Sequence, residues 1–501
     1  MTTICLTGSE VTIADIVAIA RQRAEVSADE RVIARLVEAR LVLENVAASG
    51  QPIYGMNTGL GANLKTAVTE DFAAFQVQLI RGRGMAVGEP MPRDATRAVV
   101  AARLAMLAVG GSGISPAVFQ ALLGLLNAGV HPVMRSVGSI GAGDLVLLSA
   151  MARVLIGEGE AEYQGEILPS LVALARAGLA PTVLQPKDGI ALLNASAVSV
   201  GEGALVLHDL RRLLGWQRQA VALCFEALAG NPAILAPAIQ AARPAAGQVE
   251  EASLIRAALQ GSSLYEGGVS IQDPLSLRCV APIHGALADA LAHAERAVEL
   301  ELNSAADNPL VLVAERRVLS TGNFHTPALS LAFESLGLAL AQAAAASAAR
   351  FIQLTGSRRH GLPRYLSPAG GASAGLVPMQ KTVTALLAAI RHKANPVMLD
   401  FLAVSEGVED HATQSLLTVR KLGEMLSSWR LLIACEMVAA AQAVEMRQEH
   451  RCGAGTQMIH DMIRAKVPAL QEDRSLGEDV AVLASHLELC EDSWDRRSEL
   501  R

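Results

Sequence analysis

Long runs of Ala, Leu, Val and Ile at helical spacing, such as 327–350 and 415–447, constrain this chain more than any other feature. Hydrophobic residues make up 51% of the 501 positions and aromatic residues only 3%, so few large rings are available to fill a core. Small and branched side chains that pack closely favour helix against helix. An all-α long-helix bundle is therefore expected. Its helices are predicted from near 13, at 27–48, 72–81, 96–110, 116–128 and 145–156, at 189–207 with runs on to 228 and then to 260, and at 280–303, 327–350, 380–390 and 415–447. Thr12 and Asp15 have the spacing of a capping box at the first of these. One short hairpin is expected at 311–321. Residues 1–200 read as a loop and helix region carrying the polar loops, and 201–501 as a long-helix bundle with C-terminal helices, the whole forming one cooperative body.

Charge and cysteine usage narrow the function. The net charge is -7 and no block of Lys and Arg could form a phosphate-binding stripe, so nucleic acid is not an expected partner. The stretch 328–352 is apolar but interrupted by Glu334, Gln342 and Arg350, which reads as a buried helix and not a membrane span. The first residues show no export signal, so a cytoplasmic location is expected. Cys5, Cys224, Cys279, Cys435, Cys452 and Cys490 lie far apart with no C-x-x-C pair, which predicts reduced thiols and no metal.

The polar chemistry lies in loops: Tyr54 to Gly61, Gly138 to Asp144, Leu192 to Asn194, Gln272 to Cys279, Glu301 to Pro309, Gly322 to His325 and Glu406 to His411. The Gly138 to Asp144 segment, Gly-Ser-Ile-Gly-Ala-Gly-Asp, is one serine short of a sequence that could build an electrophile. An Ala-Ser-Gly tripeptide in such a frame can cyclise and lose water to give a methylidene-imidazolone. Here Gly143 follows Ala142 directly, so no hydroxyl is present to leave and the exocyclic alkene cannot form.

These loops, together with the phrases Leu155 to Ala161 and Glu301 to Leu310 in matching order, resemble the aromatic amino acid lyase family from about residue 5 to about 490. The wording is most similar to the histidine-specific members. The resemblance implies the helical fold shared with the fumarase and aspartase superfamily, a homotetramer, and active sites built from loops of several subunits. It implies that Tyr54 removes the substrate β-proton and that Asn194 and Gln272 border the electrophile and substrate. It further implies that Arg278 holds the carboxylate and that Glu409 lies near the amino group. Arg83, Asn323, Phe324 and Lys381 are placed among the substrate-binding residues, and Ala142, Gly143 and Asp144 form the loop where the family's prosthetic group would sit. A phenol acting as base near neutral pH needs positive charge or loop amides beside it, and Arg83 is the expected neighbour.

Departures from the family pattern are concentrated in the same loops. Leu275 stands for a usual tyrosine, Arg83 for a histidine and Val408 for a glutamine; Lys381 brings a charge into a normally uncharged segment. The residues also have plain structural readings: Tyr54 as a packed ring, Arg278 as a loop anchor, Asn194 as a cap, Arg83 and Lys381 as solvated helix-end charges, and His284, His325 and the cysteines as structural groups.

Two functions follow. One is a carbon–nitrogen lyase without a prosthetic group, acting by β-elimination on a small amino acid or betaine. Its missing tripeptide resembles the branch that releases trimethylamine from ergothioneine, a thiolated histidine betaine. The other is a catalytically silent homologue that binds or assembles. Beside these two stands a standard histidine or aromatic ammonia-lyase, the reading that holds if the tripeptide is misrecorded at Ala142-Gly143.

Overall fold

The structure, a computed structural model, describes residues 3–65, 68, 71–267, 270–356, 361–447 and 450–489. Helices dominate it, and the strands are three or four residues long. Cys490 lies outside the described residues, and the other five cysteines are free thiols.

Two compact units are present, and their limits differ from a single cut at 200. The first comprises Met1–His208, Ala294–Phe333 and Pro396–Arg420; the second comprises Asp209–His293, Glu334–Asn395 and Lys421–Arg501. Segments distant in sequence thus return to the N-terminal unit, and these carry the 301–309, 322–325 and 406–411 loops.

In the first unit, the helix Ile13–Arg21 begins at Thr12 with the expected capping box, Thr12 and Asp15 exchanging hydrogen bonds. The next helix starts at Glu30, not 27, because Asp29 caps it and Glu25–Ala28 instead forms a parallel strand with Thr3–Leu6. The helix Arg93–Ala108 is buried along nearly its whole length, as its Ala, Val and Leu content requires. The hairpin Leu310–Leu312 with Arg317–Leu319 forms as predicted. The pairings of Val87–Pro90 with Arg135–Val137, and of Val130–Pro132, Glu160–Tyr163 and Glu166–Pro169, have no counterpart in the sequence reading. They are too short for an alternating pattern to register.

The second unit contains most of the long helices' apolar length. Its interior is organised around one carboxylate. Glu436 is buried and accepts from Arg350 Nε at 2.5 Å, Gln217 Nε2 at 2.8 Å, Cys224 Sγ at 3.3 Å and the Ser347 hydroxyl. Trp429, fully buried, donates its indole N–H to Gln217 Oε1 at 3.1 Å, so the ring is fixed by the same network. Among the described residues two helices, one running on from Asp188 to Leu228 and the other Pro327–Gly356, are long and apolar enough to cross a membrane by length and composition. The two charged residues of the second are paired inside the fold, Arg350 with Glu436 and Glu334 with Lys421, which is the arrangement of a core helix.

Removing one member of a buried ion pair leaves the other charge uncompensated, at a cost of about 3–5 kcal/mol. Arg350→Met is therefore expected to lower the thermal unfolding midpoint sharply, with partial recovery in Arg350→Met/Glu436→Leu. Calorimetry showing Arg350→Met as stable as the parent would contradict the role given to this pair.

Candidate active site

The loop Gly138 to Asp144 is held from both sides within the first unit. Gly141 has φ 78°. A Cβ there would fall 2.2 Å from Thr413 Oγ1 and 2.7 Å from the Ser415 amide, so only glycine lets the two segments approach this closely. Thr413 Oγ1 donates to the Gly141 carbonyl at 2.7 Å, and the Gln414 amide donates to the Ile140 carbonyl at 2.9 Å. On the other side, the Asp144 amide donates to the Ala195 carbonyl at 2.8 Å.

Asp144 itself is fully buried and sits at the start of the helix Ala197–Leu228. One carboxylate oxygen accepts from the amides of Val198 and Ser199 at 2.9 and 3.0 Å; the other accepts from Ser139 Oγ at 2.6 Å. The carboxylate thus satisfies two of the helix's free N–H groups and meets the positive end of its dipole. Burial pushes the Asp144 carboxyl above the usual carboxylate range, a rise that the donors from Ser139, Ser199 and Val198 only partly oppose. Ser199 extends the network to Ser415, its hydroxyl lying 2.9 Å from that of Ser415.

Asn194 follows the short helix Asp188–Leu193 and is 5% exposed. Its Nδ2 donates to the Asn308 carbonyl at 2.8 Å, which fixes the amide plane. Its Oδ1 lies 3.5 Å from where a side chain at Gly143 would begin, so the amide oxygen borders the loop. Asp307, beside Asn308, is buried and accepts from Arg103 Nη2 at 2.7 Å, a firm base for that carbonyl.

Tyr54 is half-buried, and its hydroxyl oxygen accepts from the Gly61 amide at 2.9 Å. The loop amide, not Arg83, is therefore the donor that supports this oxygen. Arg83 caps the helix Phe72–Gly82, half-buried, with its carbonyl accepting from Ser149 Oγ at 3.1 Å. The Tyr54 loop is tied to Asn194 through Gln76, whose Nε2 donates to the Gly55 carbonyl at 3.0 Å and whose Oε1 accepts from the Ile190 amide at 3.2 Å. Gly61 also passes close to Ser405. There a tight turn pairs Val404 with Glu409 through two backbone hydrogen bonds of 3.0 and 3.3 Å, leaving the Glu409 side chain exposed.

Asn323 is exposed, while the Phe324 carbonyl accepts from Ser196 Oγ at 3.0 Å, two residues beyond Asn194. His325, expected to be structural, lies 2.8 Å through Nε2 from Nδ1 of His411, whose ring also meets Phe401. Desolvation and the neighbouring His411 lower the His325 pKa. The first unit thus gathers Tyr54, Ala142, Gly143, Asp144, Asn194, Phe324 and Glu409 through linked loops. Ser139, Ser199 and Thr413, which fix that geometry, were not singled out by the sequence; of these only Ser139, inside the Gly-rich loop, carried a signal.

Gln272, Arg278 and Lys381 belong to the second unit. With its amide oxygen turned inward, Gln272 accepts from both terminal nitrogens of Arg278 at 2.9 and 3.0 Å. Arg278 ends the short helix Leu275–Arg278, whose Leu275 is 62% exposed, and Lys381 is exposed on the helix Val377–Lys393. A largely apolar cavity lined by Met379, Leu386, Leu431 and Cys435 lies in this unit and includes none of the predicted site residues.

Ligand atoms of Glu226, His450 and Cys452 lie within 4.8 Å of one another, a grouping the sequence spacing did not reveal. Glu226 is already filled: its oxygens accept from Ser262 Oγ, Thr456 Oγ1 and the Gly453 amide at 2.6 to 2.8 Å, and His450 Nε2 lies 2.9 Å away.

The Gly138 to Asp144 loop bears on the prosthetic group that the family pattern implies. No serine separates Ala142 from Gly143, and the single serine of the loop, Ser139, gives its hydroxyl proton to Asp144. The donor set does not fit a group made from Ala-Ser-Gly.

Comparison with known proteins gives a consistent picture. The profile of the aromatic amino acid lyase family matches residues 11–465. The chain is 38% identical to a histidine ammonia-lyase of Treponema denticola over 481 residues, 95% of each chain. It is also 38% identical to that of Stigmatella aurantiaca over 483 residues, again 95% of each. Among solved structures, the ergothioneine-degrading ergothionase of Treponema denticola, bound to desmethyl-ergothioneine sulfonic acid, superposes with a TM-score of 0.94. Its identity is 31%, over 97% of this chain and 98% of that one. The histidine ammonia-lyase of Trypanosoma cruzi gives a TM-score of 0.89 at 27% identity, covering 97% and 93%.

Asp144→Ala would strand buried donors from Ser139, Val198 and Ser199, each costing roughly 1–3 kcal/mol. The variant is expected to lose several degrees in unfolding midpoint and nearly all turnover, with Asp144→Asn falling between it and the parent. Equal midpoints for Asp144→Ala and the parent would show that the carboxylate does not hold the loop.

Proposed function

Because the chain belongs to the aromatic amino acid lyase family and is a carbon–nitrogen lyase, we propose that it carries out β-elimination with its own side chains and no methylidene-imidazolone, releasing trimethylamine from a histidine-type betaine such as ergothioneine. One observation carries this reading: Ala142 is joined directly to Gly143 while Tyr54, Asn194, Gln272, Arg278 and Glu409 are all retained.

The chemistry explains why the two go together. An α-amine is a poor leaving group, and covalent capture by an electrophile is what makes it depart. A quaternary trimethylammonium has no lone pair with which to attack an electrophile, and it already leaves as a neutral amine. For such a substrate the electrophile would serve no purpose. In the proposed reaction the Tyr54 phenolate takes the β-proton. The C–H electrons form the Cα–Cβ double bond as the Cα–N bond breaks, and the nitrogen keeps that bonding pair.

In this reading the supporting groups take the roles that the family pattern implies. The Gly61 amide, aimed at the Tyr54 oxygen, supports negative charge there. Arg278, a planar and always-charged fork, holds the carboxylate. Lys381 stabilises the charge that a thione ring takes up as the proton leaves, and Arg83, Asn323 and Phe324 border the substrate. Glu409 faces the ammonium. In the same reading the protein is a cytoplasmic homotetramer whose subunits share their sites, as the family pattern implies.

The test is to incubate the protein with histidine, phenylalanine, tyrosine, histidine betaine and ergothioneine and to assay both ammonia and trimethylamine. Trimethylamine from a betaine, without ammonia from the free amino acids, is expected. Tyr54→Phe should lower kcat by about 10²–10⁴-fold. Release of ammonia from a free amino acid, or of neither amine from any substrate, would overturn the proposal.

A further inference from the structure

A polar cleft in the first unit is built from elements that the proposed reaction leaves unused. It is lined by Arg23 and Glu25, by Arg93 and Arg97 of the helix Arg93–Ala108, by His131 of the strand Val130–Pro132, and by Glu162 with the turn that follows it. None of Tyr54, Asn194, Asp144 or Glu409 is among its walls.

The charges in this cleft do not balance. Arg93 and Glu162 neutralise each other through two hydrogen bonds of 2.6 and 2.9 Å. Arg97 is 4% exposed and turns Nε and Nη2 to the Ile19 carbonyl and Nη1 to the Leu126 carbonyl. Its hydrogen bonds are made with uncharged groups, so its positive charge is not cancelled. Arg23 stands at the rim with φ 57°, a backbone region that non-glycine residues seldom adopt, and its guanidinium has no hydrogen-bond or ion-pair partner among the described residues. Glu25 is the one remaining acidic group on the wall, and it is exposed to solvent.

His131 is the second, independent sign. Its side chain is 6% exposed and lines the cleft, yet neither ring nitrogen has a hydrogen-bond partner among the described residues. Buried polar groups are ordinarily satisfied, and one left open toward a cavity marks a place for a ligand or water. Desolvation first, then the charges of Arg97, Arg93 and Arg23, hold the imidazole down at about 4, with Glu162 acting in the opposite sense. At neutral pH the ring is uncharged, with one N–H donor and one lone pair, and it lines a cleft whose remaining charges are mostly positive.

We propose that this cleft binds a small oxyanion, a phosphate or a carboxylate, held by the free guanidinium of Arg23, the N–H of His131 and the field of Arg97. Guanidinium forks match the paired oxygens of either group, and a partly enclosed site strengthens the attraction.

The proposal is tested by calorimetric titration of the full-length protein with sodium sulfate, sodium phosphate and sodium succinate, each at constant ionic strength. Saturable binding of at least one is expected; preference for sulfate and phosphate over succinate identifies a phosphate-type ligand, and the reverse identifies a carboxylate. Arg23→Gln, at an exposed position without contacts to lose, should weaken binding at least tenfold with an unchanged unfolding midpoint. His131→Phe should weaken it similarly. Absence of saturable binding for all three anions, or equal affinity in the parent and Arg23→Gln, would overturn the proposal. Neither result bears on the lyase reading, because these residues take no part in it.

Discussion

One buried carboxylate decides where the reactive loop sits. Asp144 ends the Gly138 to Asp144 segment, and its oxygens close the free amides at the head of the 32-residue helix Ala197–Leu228. An anion at a helix N-terminus is favoured by the aligned peptide dipoles as well as by the hydrogen bonds themselves. The loop is thereby indexed to the longest helix among the described residues, and Ser199 carries that index on to Ser415, the first residue of another long helix. Gly141 and Gly143 are the permissive elements of this design. Asp144 and Thr413 are the restrictive ones.

In the proposed reading, what the loop offers is a scaffold without an alkene. In a lyase that handles primary amines, the electrophile is the reason for holding such a turn so firmly. Here the same firmness positions Asn194 and the backbone beside Gly143, while Tyr54 is held to the same unit through Gln76. The arrangement suits a reaction in which the difficult step is proton removal and the leaving group departs unaided. Fixing a base against a bound substrate is then most of what the protein has to do.

Much of this was legible in the sequence, for physical reasons that can be named. The capping box at Thr12, the hairpin after Asp307-Asn-Pro and the long Ala- and Leu-rich helices follow from local rules of hydrogen bonding and periodicity, and the structure keeps them. The three- and four-residue strands escaped because so few residues cannot show alternation. The two units interleave along the chain, which contiguity does not display: nothing local tells 294–333 or 396–420 to join the N-terminal part. At the site, candidate residues could be picked out by type and by the family pattern, but their partners could not. Tyr54 found a backbone amide where a charged neighbour was expected, and His325 found His411 across 86 positions of chain. Partnerships of this kind are set by tertiary approach, which one sequence does not display.

The central claim is that turnover here proceeds on a loop that stays chemically unmodified. Peptide mass mapping of the fragment containing Gly138 to Leu145, taken from protein that releases amine, tests it most directly. The account predicts the mass of the unaltered sequence, Gly-Ser-Ile-Gly-Ala-Gly-Asp-Leu, with every backbone amide intact. A fragment lighter by the water lost on cyclisation and dehydration would contradict it.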